Sequence, residues 1–171
     1  MRNQLGTINL VAMKKSLLHT EPQEQDTARN GPRHESCLFC KIVAREIEAQ
    51  IIFEDEISMA FLDVRPLFPG HVLLIPKGHY PALLDLPADL VGPFFINAQK
   101  LARKVQDAMK AEGSFVAINN VVSQSVPHLH VHIVPRKRKD GLRGFFWPRR
   151  KYEGEEMLAI HEALSAPPKP G

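Results

Sequence analysis

The sequence predicts an α+β domain built on a five-stranded antiparallel sheet, with one long and one short helix. Five short runs, "QIIFED", "SMAFLD", "HVLLIP", "SFVAIN" and "LHVHIV", are rich in β-branched or aromatic residues and are separated by turn residues such as Asp55 and Pro69-Gly70. One amphipathic stretch lies between the third and fourth runs. The resulting order, a brief helix, three strands, a long helix and two strands, suits an antiparallel sheet with helices set apart from it.

Residues 1–33 are polar, lack a sustained apolar period and end in "ARNGPRH", so they read as a flexible extension. The domain is expected from residue 34 to residue 165, opening with a short helix from about Leu38 to Arg45. From Pro87 to Glu112 the apolar residues Leu90, Phe94, Leu101, Val105 and Met109 recur at helical spacing. Gly113 is the expected stop, and Gly92-Pro93 is expected to delay or kink the first turn. Residues 166–171, "APPKPG", form a loose tail.

At 171 residues and 44% hydrophobic composition, the chain is long enough for one core. No apolar run approaches the roughly 20 residues that cross a bilayer, and the N-terminal "INLVAM" does not read as a secretory leader. A cytoplasmic protein is expected. The net charge of +3 is uneven, because Arg136 to Lys139, Arg143 and Arg149 to Lys151 crowd one segment. That segment is either a solvated basic surface or a neighbour of an anionic ligand.

"HLHVHIV" sets His128, His130 and His132 at every second position. On a strand they share one face, leaving Leu129, Val131 and Ile133 for the core and the imidazoles for a groove. Neutral imidazole can act as nucleophile, base, phosphate donor or metal ligand. A histidine-rich exposed face or an incidental metal-binding tract is the bland alternative, and the strict alternation on an otherwise apolar strand argues against it.

This row resembles the His-φ-His-φ-His-φ-φ signature, φ being apolar, of the histidine triad superfamily of nucleotide hydrolases and transferases. "CLFCKIVAREIEAQIIFED", "AFLDVRPLFPGHVLLIPKGHY" and "QSVPHLHVHIVPR" follow in the family's order, so the likeness covers about Cys37 to Arg136. It implies the HIT-like fold, a homodimer and nucleoside phosphates as substrates. His130 would be the nucleophile on the α-phosphorus, and His132 would serve the phosphate and leaving group. His71 matches a histidine beside the triad, Asp63 the carboxylate that holds the ribose hydroxyls, and Gln124 and Ser125 the phosphate loop. Asn119 would be a polar support. Taken alone, Asp63 and Asn119 read as turn formers.

Cys37-Leu38-Phe39-Cys40 is open to three readings: a redox dithiol, half of a zinc site or two incidental thiols. No strand precedes it, which disfavours a thioredoxin-like motif. The resemblance implies a structural Zn2+ held by Cys37, Cys40, His79 and His128. The competing reading keeps His128 as a hydrogen-bonding triad member and the cysteines as small buried residues. "NNVVSQSVPH" departs from the family's Asn-x-Gly…Gly-Gln loop: it is shorter, and Ser123 stands where glycine is usual.

The expected function is hydrolysis at the α-phosphorus of dinucleoside polyphosphates or nucleoside phosphoramidates through a nucleotidyl-histidine, releasing a nucleoside monophosphate. A nucleotide-binding regulatory module with little turnover is the alternative. Phe145, Phe146 and Trp147 suit packing or substrate closure better than nucleic-acid binding, and no membrane partner is expected.

Overall fold

The structure is a computed structural model that describes residues 32–142 and 151–165. The expected tail at 166–171, most of the expected extension at 1–33, and Phe145, Phe146 and Trp147 lie outside the described residues. The sequence reading carries one domain to residue 165. In the structure the described residues divide into two compact units between Arg138 and Lys139.

The first unit opens with helix α1 (Leu38–Val43) and strands β1 (Ile51–Glu54), β2 (Ser58–Leu62) and β3 (Val72–Pro76). A 3-10 turn (Leu83–Asp85), helix α2 (Ala88–Met109) and strands β4 (Gly113–Ala117) and β5 (Val131–Arg136) complete it. The strands form one antiparallel sheet in the order β1-β2-β3-β5-β4. In the second unit, α3 (Glu156–Ser165) was not expected, and it buries no residue. Among the described residues no helix is long and apolar enough to cross a membrane.

Alternation along β2 and β3 gives the sheet two covered faces. Ala60, Val72, Leu74, Leu129, Val131 and Ile133 meet Phe94, Ala98, Leu101 and Val105 of α2 on one face. Met59, Phe61, Leu73 and Ile75 meet Phe39, Cys40 and Ile42 of α1 on the other. At the edge of the first core, buried Asn97 of α2 donates to Asp55 Oδ2 (2.6 Å) and Ser58 Oγ (3.1 Å), tying the helix to the β1–β2 turn.

Two helix boundaries depart from expectation. Gly92-Pro93 neither delays nor interrupts α2, which begins at Ala88 and contains Pro93. Pro93 is the sixth helical residue and forfeits one backbone bond, a cost offset by the apolar stripe that holds the helix to the sheet. Its end is set by Lys110, which takes the left-handed conformation (φ 49°) expected of Gly113. Gly113 instead opens β4 and pairs with Arg136.

Gly70 has a real steric role. Its φ is +88°, and a Cβ there would meet Met109 Cγ at 2.7 Å. It lets the chain turn tightly beneath the end of α2 and enter β3 just after His71.

Candidate functional site

Only His132 of the histidine row lies within β5, opposite Leu73 of β3 and Ala117 of β4. His128 and His130 belong to the segment just before it. The side alternation nevertheless holds. Leu129, Val131 and Ile133 pack on the α2 face, while Phe39 of α1 meets the rings of His128 and His130 edge-on, with centroids 5.7 and 5.4 Å away. The groove expectation needs correcting for His128, which is 0% exposed. Its place beneath α1 closes it off from solvent.

Hydrogen bonds fix which nitrogen of each ring is free. His130 Nδ1–H donates to its neighbour's carbonyl, His128 O, at 2.7 Å. A neutral His130 therefore carries its lone pair on Nε2. The amide of Leu67 donates to His71 Nδ1 (3.2 Å), which puts the His71 proton on Nε2, from where it donates to His132 Nδ1 (3.0 Å). His132 is left with an Nε2–H. Asp63 Oδ2 lies 3.5 Å from His71 Nδ1, behind this relay.

Burial keeps His71 and His132 neutral. Burial, then the neighbouring His130 and His71, push His132 down to about 4. Burial also lowers His71, partly opposed by Asp63. Asp63, His71 and His132 place donor atoms within 4.8 Å of one another. The Leu67 amide and the His71–His132 bond already use the lone pairs on which a metal would depend, so this group reads as a hydrogen-bonded relay.

A second group, Cys37, Cys40, His79 and His128, also has its donor atoms within 4.8 Å. The cysteines flank the first turn of α1, His79 follows β3, and His128 precedes β5. His128 Nδ1 lies 3.5 Å from Cys37 Sγ and 3.7 Å from Cys40 Sγ, and His79 Nδ1 lies 3.4 Å from Cys40 Sγ. Tetrahedral zinc with ordinary bond lengths places sulfur and nitrogen ligands roughly 3.6 Å apart, so the group fits such an ion. His128 Nε2–H donates to Pro76 O at 2.9 Å, turning the Nδ1 lone pair towards the sulfurs, as second-shell bonds do in metal sites. Burial, opposed by the Pro76 bond, holds His128 down to about 4. Burial raises the Cys40 thiol, so loading a metal requires it to give up a proton.

Beside both groups lies a cavity of about 470 Å3 lined by His130, Ser125, Asp63 and the apolar residues Leu38, Phe39, Ile42, Ile47 and Phe61. Asp63 joins two readings that the sequence kept apart: its Oδ1 accepts Arg65 N (2.8 Å) in a turn, and the residue also faces the cavity. Arg65 and Phe39 are lining residues that sequence reasoning missed. Phe39 was visible only as spacing between two cysteines.

Gln124 and Asn119 do not line this cavity. The Gln124 amide holds the loop instead, accepting from Val121 N (2.7 Å) and donating to Pro81 O (2.6 Å) and His128 O (3.4 Å). Asn119 is exposed. Ser123 adopts the left-handed conformation usual for glycine (φ 60°), and so does Val121 (φ 64°). The loop thus keeps a glycine-like path at a steric cost, greatest for the β-branched valine.

A family profile, the HIT domain, matches residues 44–139. The chain belongs to the HIT family. Among relatives, adenosine 5'-monophosphoramidase HNT1 of Saccharomyces cerevisiae is 35% identical over 134 residues, covering 77% of this chain and 82% of the relative. A crystal structure of a HIT family member from Bacillus subtilis superposes with TM-score 0.70 at 35% identity, covering 77% of this chain and 96% of the other. A Zn-bound histidine triad family protein from Mycobacterium smegmatis has TM-score 0.60 and 37% identity, covering 75% and 95%. The α+β fold with a five-stranded antiparallel sheet is thus the HIT fold, and the chain is a HIT-family enzyme, a nucleotide hydrolase.

Proposed function

We propose that this HIT protein cleaves adenosine 5'-phosphoramidates or dinucleoside polyphosphates at the α-phosphorus and releases a nucleoside monophosphate. The observation that carries the reading is the bond from His130 Nδ1–H to His128 O, which leaves Nε2 as the nucleophilic atom of a residue lining the cavity. The base would occupy the apolar end among Leu38, Phe39, Ile42 and Phe61, and the ribose hydroxyls would meet the Asp63 carboxylate. Ser125 would stand at the phosphate.

His130 Nε2 forms a bond to phosphorus as the bond to the leaving nitrogen or oxygen breaks. The ligand-free site holds His132 neutral, and an anionic phosphate beside it raises its proton affinity. His132, protonated from solvent as the anionic substrate binds, gives its Nε2 proton to the leaving atom and returns to the neutral form. Water then attacks phosphorus as the P–Nε2 bond to His130 breaks; its proton goes to neutral His132, so the nucleotide leaves and His130 is restored.

The monophosphoramidase relative supports an amine leaving group, and the Zn-bound relative supports reading Cys37, Cys40, His79 and His128 as a structural zinc site. Zinc there would tie the start of α1 to the segment that carries His130. A homodimer fits the exposed Phe115 and Val116 on β4, an edge strand of the sheet. His130→Ala should abolish turnover of adenosine phosphoramidate while retaining AMP binding by calorimetry. Turnover within tenfold of the unaltered enzyme would refute the nucleophile assignment.

A further inference from the structure

The residues that would hold zinc and those that would hold a nucleotide interlock at three points. Leu38 and Phe39, the two residues between Cys37 and Cys40, both line the cavity. Helix α1 is only six residues long and has no side-chain cap at Cys37, so it cannot hold its place by intrinsic helicity. Packing of Phe39, Cys40 and Ile42 on the sheet holds the helix, and the anchoring of Cys37 and Cys40 sets how the turn presents Leu38 and Phe39 to the cavity.

The second point is Phe39 itself. Its ring lies edge-on to His128 and His130 and 5.6 Å from Phe61, so one side chain touches a metal-site residue, the nucleophile and the cavity wall. The third is the His128 backbone. Its carbonyl accepts both His130 Nδ1–H and the Gln124 amide that clamps the loop before the triad. A displacement of His128 on losing its metal would disturb the nucleophile's tautomer and the loop together.

We propose that zinc at Cys37, Cys40, His79 and His128 and a nucleotide in the neighbouring cavity bind with positive coupling, transmitted by Leu38, Phe39 and the His128 carbonyl. The inference rests on the nucleotide and zinc readings above and adds regulation to them: metal supply sets nucleotide affinity, and bound nucleotide retains the metal. The coupling is local. The α2 face of the sheet, with Phe94, Leu101 and Val105 against Val131 and Ile133, contains none of the four donors.

Linkage makes the effect reciprocal, so it can be measured from either side. The full-length protein, zinc-loaded or stripped by a chelator, is titrated with AMP in a calorimeter. Zinc affinity is then measured against a chromophoric chelator with and without saturating AMP. Stripping should weaken AMP binding by roughly five- to a hundredfold, and AMP should tighten zinc by the same factor. The far-UV circular dichroism of the stripped protein should stay close to that of the loaded form. Phe39→Leu should shrink the coupling factor while still binding zinc; Leu38→Ala serves the same purpose if that variant fails to fold.

Equal AMP affinity in the loaded and stripped forms would overturn the coupling and leave the nucleotide reading standing. Global unfolding on stripping would overturn the local route. Absence of AMP binding to the zinc-loaded protein would remove the nucleotide reading and the coupling with it.

Discussion

At the scale of single residues, the three histidines of the row are separated by what their other nitrogen touches. His128 bonds a strand carbonyl and faces two sulfurs, His130 bonds its neighbour's carbonyl, and His132 bonds His71. Their even spacing in the sequence carried the shared face but not the bonds to Pro76 O and His71, which reach them only through the fold. Burial also changes the acid behaviour of His128 and His132. His128 and His132 titrate near 6.5 when unfolded and at about 4 when folded without metal. Between those values the unfolded chain binds more protons, so the contribution to stability is full above about pH 6.5 and is lost as pH falls towards about 4. Thermal melts of metal-free protein should therefore show a lower midpoint at pH 5 than at pH 7.5. NMR titration of His132 should have its midpoint well below 6.5, and a midpoint at or above that value would contradict the buried relay.

Elements were legible where periodicity met burial and less so where chain ends or backbone conformation decided. All five strands and both helices of the first unit lie where the pattern put them, within about two residues at most ends. β5 starts at Val131 although the alternation begins at His128, because β3 pairs with it only from Val131 to Ile133 and α1 covers the segment before it. Lys110 ended α2 in place of the glycine further on, a choice that a residue-type rule does not reveal. α3 escaped because its apolar residues Met157, Leu158, Ile160 and Leu164 remain exposed and show no single buried stripe. The α2 stripe, by contrast, predicts its own energetics. Leu101 is 2% exposed within the first core, so Leu101→Ala should destabilise the protein by about 2–5 kcal/mol in urea unfolding. A loss below about 1 kcal/mol would mean that α2 is not the main cover of that face.

Across the whole molecule, the sheet separates two tasks. Its α2 face supplies the apolar core, and its α1 face carries the donor cluster, the cavity and the triad. The candidate site thus lies at the seam between a six-residue helix and a sheet that α2 covers from behind. Purified protein never exposed to chelator should contain about one zinc per chain, and chelation should lower its thermal midpoint without abolishing its helical signal. Metal-free protein with an unchanged midpoint would remove the structural role of the Cys37–Cys40 turn. Covalent catalysis by His130 would leave an adenylyl group on that residue during turnover. The most direct measurement is acid-free mass spectrometry of the enzyme quenched during turnover of adenosine phosphoramidate, with fragmentation to locate any adduct. An adenylyl group on His130, absent from His130→Ala, is the expected result; turnover with no adduct, or an adduct on another residue, would contradict the account.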